Sequence, residues 1–155
     1  MSKVLTLDYE NEHDYTLIGI HATLENYRLA FYLNSVLDIR LKRNNLDLDF
    51  GTSTSFFSLY TYDCNSTFSS WALIANKHVF DARKSVEKDY LFKEDYQTTI
   101  LIPEKKQVDF FLKIDSDFDK LELNEIIKKV NTINNVITSY KIDPQTLKSK
   151  DFLIF

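Results

Sequence analysis

The stretch Thr98–Asp115 constrains the fold more than any other part of the chain. It contains two apolar runs, Ile100–Ile102 and Val108–Ile114, whose residues favour strands. The polar crossing EKKQ lies between them, directly after Pro103. Two such runs joined by a short polar segment are typical of a β-hairpin. We therefore predict a hairpin, with Pro103 at a strand end because proline has no amide proton to donate.

The second run of this hairpin predicts which side chains are buried. Strand geometry places alternate residues on opposite faces of a sheet. One face carries a continuous apolar row: Val108, Phe110, Leu112 and Ile114. The other face carries Asp109, Phe111 and Lys113. Because Phe111 is a large apolar residue on that second face, we expect something to cover part of it.

Two helices are predicted from apolar residues at helical spacing. The first covers Leu24–Leu37, capped by Thr23, with Tyr27, Phe31 and Tyr32 widening its apolar face. The second follows Asp117, with its stripe formed by Leu123, Ile126, Ile127, Val130, Ile133 and Ile137.

Further strands are predicted from β-branched, aromatic or alternating runs: Tyr15–His21, Asp38–Lys42, Phe56–Tyr62 and Trp71–Asn76. Gly19 inside the first marks the close approach of another backbone. The polar link Asp63–Ser70 favours an antiparallel pair. Val136–Ile142 reads either as the last turns of the second helix or as a strand, and its β-branched content favours the strand.

These elements predict an α+β fold in one domain, residues 1–155. The expected architecture is a mostly antiparallel sheet of about five to seven strands, with the two helices on one face. The apolar end Phe152–Phe155 is expected to dock on the sheet or on a partner. The pattern leaves residues 46–55 undecided, and residues 79–97 form a charged excursion with a potential strand near Tyr90–Phe92.

Composition excludes several function classes. The chain has only two glycines, so it cannot form the glycine-rich phosphate loops of many nucleotide enzymes. Its net charge of −4 argues against a basic nucleic-acid footprint. One cysteine, Cys64, cannot form an internal disulfide. No signal peptide or membrane-length apolar run is visible, so we expect a cytoplasmic protein without membrane contact, cofactor or metal.

No catalytic constellation stands out among the polar residues. His13, His21 and His78 match no metal-binding spacing, and a nucleophilic pair of Cys64 with a histidine has no support from spacing. Glu104 and Asp109 flank the predicted hairpin crossing and form an acid–base pair if they converge. Carboxylates at such positions more often bond backbone amides or face solvent.

Three further features bear on binding. Arg28 lies in the first turns of the first helix, where the helix dipole disfavours a cation. It is either solvated or ion-paired, or it contacts a ligand or partner. Arg40, Lys42 and Arg43 form a small basic cluster, explained most simply by a charged sheet edge. Tyr60, Tyr62 and Trp71 form either core or an aromatic platform for single-stranded nucleic acid.

The residues Ile102-Pro103-Glu104 followed by Val108-Asp109-Phe110 resemble the signature of the bacterial IPExxVDY family. The resemblance extends to Leu17–Asn34 and to Val136–Phe155. Two departures are visible: three residues, rather than two, separate Glu104 from Val108, and Phe110 replaces the tyrosine of the family signature. The resemblance implies a small cytoplasmic protein of a family with no assigned activity, whose signature positions here include Pro103, Glu104 and Asp109.

Together these observations favour a non-enzymatic accessory factor that binds another cytoplasmic protein. An RNA-associated factor using Arg40, Lys42 and Arg43 is the first alternative. A small enzyme using Glu104 and Asp109 is the second.

Overall fold

The computed structural model describes residues 15–49, 56–81, 96–116 and 119–155. The helices of this part are α1 (Asn26–Leu37) and α2 (Lys120–Asn131). The strands are β1 (Tyr15–Ala22), β2 (Lys42–Arg43), β3 (Leu59–Cys64), β4 (Ser69–Ala75), β5 (Lys77–Asp81), β6 (Tyr96–Ile100), β7 (Phe110–Asp115) and β8 (Val136–Ile142). Short 3-10 turns cover Pro103–Lys105, Pro144–Thr146 and Lys150–Leu153.

The main sheet has six strands in the order β2-β3-β4-β7-β1-β8, and all neighbours are antiparallel. Strands β5 and β6 form a separate antiparallel pair. Residues of α1 and α2 share one buried cluster with one face of the main sheet. The predicted α+β class, with two helices on one face of an antiparallel sheet, is confirmed.

The predicted hairpin within Thr98–Asp115 is wrong, although β7 is correct. Ile100 ends β6, whose partner is β5 in the small sheet. Strand β7 instead pairs with β4 and β1 in the middle of the main sheet. Between them Pro103 starts a 3-10 turn, where its missing amide proton costs nothing. Ile100 of the first run therefore lies in the small sheet and the second run enters the main sheet, whereas Leu101 and Ile102 lie in neither.

Both faces of β7 are buried, as its residue pattern predicts. Phe110, Leu112 and Ile114 belong to the helix-covered cluster, whereas Phe111 is buried in a second cluster on the opposite face. Val108 is the exception, because it precedes the strand and packs into the second cluster. We call the side under α1 and α2 the helix face and the other side the tail face.

Helix α1 begins two residues later than predicted and lacks the predicted Thr23 cap. Its N-cap is Glu25, which makes no side-chain capping bond, and the Thr23 amide donates to the Asn135 carbonyl. Helix α2 has a capping box, in which Asp119 accepts a hydrogen bond from the Glu122 amide at 2.8 Å. Neither helix is long and apolar enough to cross a membrane.

Four smaller predictions can also be judged. Of the predicted strand Asp38–Lys42 only Lys42 lies in a strand, β2, and Asp38 adopts a left-handed conformation (φ 54°) at the end of α1. Val136–Ile142 is a strand, and β3 and β4 are the predicted antiparallel pair. At Gly19 the close neighbours are side chains and not a backbone: a Cβ atom there would lie 2.6 Å from Ile142 Cδ1. The potential strand at Tyr90–Phe92 lies outside the described residues.

The tail face is covered by irregular chain instead of helices. Leu101, Ile102 and Val108 cover it from the segment before β7, and Leu147 and Leu153 cover it from the C-terminal segment. Leu153 is 0% exposed, whereas its neighbour Ile154 is 52% exposed. The expected docking of this segment on the sheet is confirmed, and Leu153 is its anchor.

Because Leu153 is buried and Ile154 is exposed, substitutions at these adjacent positions should lower the free energy of unfolding by different amounts. Leu153→Ala should lower the free energy of unfolding by about 2–5 kcal/mol, because it empties a fully buried site. Ile154→Ala should change it by less than about 1 kcal/mol, since most of that side chain is already in water. Urea unfolding of both variants measures the difference. Equal effects would show that the C-terminal segment does not dock through Leu153.

Candidate functional site

The signature segment Ile102–Phe110 is held in place by one buried residue, Asn76, at the end of β4. The Asn76 side-chain amide donates to the carbonyls of Lys105 (2.9 Å) and Val108 (2.8 Å). Its carbonyl accepts from the Ile102 amide at 2.8 Å. The Asn76 backbone adds bonds to Asp109 and Leu101. One side chain thus closes the loop that contains the signature residues.

Asp109 connects this loop to two other elements. Its Oδ2 atom accepts a hydrogen bond from the Ala22 amide at 2.9 Å, at the end of β1. Its Oδ1 atom forms an ion pair with Lys77 Nζ at 3.0 Å. Both carboxylate oxygens therefore have structural partners, and the ion pair is partly solvated. Such a carboxylate positions chain segments and has little capacity left for acid–base work.

Glu104 and Pro103 lie on the exposed 3-10 turn of the same loop. The Glu104 carboxylate accepts a hydrogen bond from the Ser149 hydroxyl at 2.7 Å, which connects the loop to the C-terminal segment. Glu104 and Asp109 thus have separate partners. Neither residue lines the clefts beside Leu121, Cys64 or Lys113. The geometry offers no support for their use as an acid–base pair.

The Asn76 contacts predict a large effect for a small change. Asn76→Ala should lower the free energy of unfolding by about 3 kcal/mol or more, because it removes three hydrogen bonds and leaves the Ile102 amide and the Val108 carbonyl without these partners. Asn45→Ala, on an exposed turn, is the matched control and should change it by less than about 0.5 kcal/mol. Thermal and urea unfolding measure both. A near-neutral Asn76→Ala would contradict the role given to this amide.

Cys64 lies at the end of β3, beside a cleft of about 210 Å³. Hydrogen bonds from the side chains of Ser66, Thr67 and Tyr62 and from the Thr67 amide lower the pKa of the Cys64 thiol to about 6. The described histidines do not line this cleft: His21 contacts Tyr140, and His78 contacts Phe56. His13 lies outside the described residues. The Cys64–histidine pair therefore has no geometric support from His21 or His78.

The lowered pKa predicts how fast Cys64 reacts with iodoacetamide. The rate should rise with pH, reach half its maximum near pH 6 and level off above about pH 7, because only the thiolate reacts. Ser66→Ala should move the midpoint upward, since it removes the largest stabilising contact. Ser35→Ala on α1 is the control. Since the chain has one cysteine, the adduct is measured directly by mass. A midpoint near pH 8.5, the usual thiol value, would contradict the hydrogen-bonded thiolate.

The aromatic residues considered as a nucleic-acid platform are mostly core. Tyr60 and Trp71 are buried and Tyr62 is partly buried, all in the helix-face cluster. In the nearby basic cluster Arg43 pairs with Asp47 at 2.6 Å and lies over the Tyr60 ring. Arg40 and Lys42 are exposed. Bases have no exposed stack of rings to bind at this position, so the core interpretation fits the aromatic residues better.

The outward face of α1 exposes large aromatic side chains. Leu29, Ala30 and Leu33 are the buried residues of this helix, and Val36 and Leu37 pack partly buried beside them. Tyr27, Phe31 and Tyr32, which were expected to widen the buried face, are exposed, and Phe31 is 68% exposed. Arg28 is exposed among them, in the position where a partner contact was considered. We call these four residues the α1 aromatic face.

No protein-family model, curated protein or solved structure matches this chain. Membership of the IPExxVDY family therefore stays a prediction that rests on the resemblance of its residues.

The sequence did not identify the residues that form the main contacts or exposed surfaces at these sites. Asn76 ends an apolar strand, which gave no indication that its amide bonds a loop 26 to 32 residues later. Phe31 was assigned to the core because aromatic residues usually are. Lys113 was placed on the same face as Phe111, but the cover expected over Phe111 was not extended to the lysine.

Proposed function

We propose that this protein is a non-enzymatic accessory factor that binds another cytoplasmic protein through the α1 aromatic face. The observation that carries the proposal is the exposure of three aromatic side chains beside a single arginine on one helix. Tyrosine and arginine dominate binding energy at protein interfaces, and phenylalanine is also enriched there.

The spacing of these residues suits a helix that inserts into a groove. Tyr27 and Phe31 are four residues apart, as are Arg28 and Tyr32, so the two pairs form adjacent ridges along the helix. The rings of Phe31 and Tyr32 touch edge to face, with centroids 5.6 Å apart. Phe31 is thereby partly ordered before binding, which lowers the entropy that association costs.

Helix α2 provides an internal comparison, because both helices have 12 residues and lie on the same sheet face. The outward side of α2 carries mainly polar and charged residues: Glu122, Asn124, Glu125, Lys128, Lys129 and Asn131. This is the ordinary pattern for a solvated helix. The outward side of α1 has Arg28 as its one charged residue and aromatic rings around it. The fold alone does not require that difference.

The composition of the face also defines the partner. Three aromatic rings are complementary to a groove with apolar walls on the partner, and Arg28 is complementary to a carboxylate at the rim of that groove. A helix of 12 residues is about 18 Å long, so the face is smaller than a standard interface and would form its centre. The predicted partner is a protein with an apolar groove and an acidic rim.

A photo-crosslinking amino acid at position 31 tests the contact in native cells. It should give one reproducible protein adduct, identified by mass spectrometry, whereas the same probe at position 121 should not. Leu121 is the matched position because it is 74% exposed, on α2. With the purified partner, Phe31→Glu should weaken binding at least about tenfold, as expected for a central interface residue, and Leu121→Glu should not.

Both substitutions lie in solvent and should leave thermal unfolding nearly unchanged. No specific adduct at position 31, or wild-type affinity of Phe31→Glu, would contradict the proposal.

A further inference from the structure

A polar cleft opens on the tail face, on the opposite side of the sheet from α1. It has a volume of about 280 Å³, and the residues that line it include Thr61, Asp63, Ser70, Lys113, Asp115 and Phe155. Most of the tail face is covered by apolar side chains. Here the covering ends, and three adjacent strands present polar groups to one concave site. We call it the Lys113 cleft.

The strand register places these groups in two rows. Asp63 pairs with Ser70, and Ser70 pairs with Asp115, so the hydroxyl lies between the two carboxylates. Across two strand spacings the Cα atoms of Asp63 and Asp115 lie about 10 Å apart. The neighbouring row contains Thr61, Ala72 and Lys113. Both carboxylates and the amine therefore occur on the same face of the sheet.

Lys113 is unusual because it is only 9% exposed and has no carboxylate partner among the described residues. Its Nζ donates one hydrogen bond, to the Leu153 carbonyl at 2.9 Å. The rings of Tyr15 and Phe155 lie 4.7 and 4.8 Å from it. An ammonium group has three donors, so these contacts leave hydrogen-bonding capacity beside the cleft.

The charge of Lys113 is incompletely compensated. Burial lowers the pKa of its ammonium group, and only the nearby Asp115 opposes this. Asp115 follows two residues later on the same face, yet the two groups, both within the described residues, form no ion pair. A cation and an anion that lie close without touching leave room for a ligand that contacts both.

We propose that the Lys113 cleft binds a small zwitterion, a free α-amino acid. Its carboxylate would accept hydrogen bonds from Lys113 Nζ, and its ammonium group would lie against Asp115, with Ser70 and Asp63 beyond.

The charges select this class of ligand. A simple anion in the cleft is attracted by Lys113 but repelled by two carboxylates. A simple cation is attracted by the carboxylates but repelled by the buried ammonium group. In both cases the repulsion cancels part of the attraction. A molecule with both charges pairs with both sides of the cleft. The volume of about 280 Å³ lies just below the usual range for drug-sized ligands, which agrees with a small molecule.

Titration of the full chain with each of the standard amino acids, followed by calorimetry and by NMR of labelled protein, tests the proposal. At least one amino acid should bind with a Kd of about 1 mM or tighter, and shifts should centre on β4 and β7. Its N-acetyl derivative and its methyl ester, which keep one charge each, should bind at least tenfold more weakly. No binding by any amino acid would overturn the proposal, and so would equal binding of either derivative.

Two variants separate binding from folding. Asp115→Asn, at an exposed position, should fold normally and weaken binding at least tenfold. Lys113→Met keeps the apolar stem and removes the charge, so it should abolish binding. Because it also removes the hydrogen bond to the Leu153 carbonyl, thermal unfolding is measured in parallel to establish that the variant is folded. Glu125→Gln on α2 is the control and should bind as wild type. Unchanged affinity in Asp115→Asn would overturn the proposal, as would unchanged affinity in a folded Lys113→Met.

Discussion

The side-chain amide of Asn76 is the interaction on which the tail face depends. The segment that covers this face before β7 buries Leu101, Ile102 and Val108, but it is neither helix nor strand along most of its length. Its own backbone bonds, from the Lys105 amide to the Ile102 carbonyl and from the Val108 amide to the Lys105 carbonyl, satisfy only some of its polar groups. Buried groups without partners are costly. Asn76 supplies two donors and one acceptor at the required positions. Without them, irregular chain could not cover the sheet.

The two faces of the sheet are therefore stabilised in different ways. On the helix face, α1 and α2 satisfy most of their own backbone groups and pack mainly apolar side chains on the sheet, with Asn131 accepting one hydrogen bond from Ser139 of β8. On the tail face, backbone polar groups are satisfied by side chains that are distant in sequence. These contacts run from Asn76 to the signature segment, from Asp109 to Ala22 and from Lys113 to Leu153. The signature residues belong to this second system. Asp109 and Glu104 connect segments that are far apart in sequence. This structural role is enough to explain why carboxylates occur at these two positions.

Apolar periodicity predicted the elements whose burial it directly reports. It identified both helices, the β3–β4 pair and the covered second face of β7, because the repeat of a helix or strand determines which side chains meet the core. It failed where pairing is non-local. The runs on either side of Pro103 look like a hairpin, but β6 pairs with β5 and β7 with β1 and β4. A local pattern does not reveal the partner strand, and the Asn76 contacts that separate the runs are equally non-local.

The candidate sites were predictable to different degrees. Arg28 was considered for a ligand or partner contact because the helix dipole disfavours a cation in the first turns, but the rings around it were assigned to the core on residue type. Leu29, Ala30 and Leu33 already complete the buried face of α1, and at 100° per residue Tyr27 and Phe31 point away from it. Spacing was thus a better guide than hydrophobicity. For Lys113 the spacing was read correctly, and only the structure showed that its covered face opens into a cleft.

The two proposed sites lie on opposite faces of one sheet, and this arrangement bears on how they act together. Coupling between sites requires a structural element with two states that both ligands bias. Strand β7 lies between the helix face and the cleft, but it is paired along its length on both sides and buried on both faces. A change of its register would move every side chain to the wrong face. The C-terminal segment is the more adaptable connection, because Leu153 anchors it while Phe152, Ile154 and Phe155 remain partly exposed. Since that segment packs on the tail face and contacts Lys113, on the opposite side of the sheet from α1, we expect a ligand in the cleft to order the C-terminal segment and to leave binding at the α1 aromatic face unaffected.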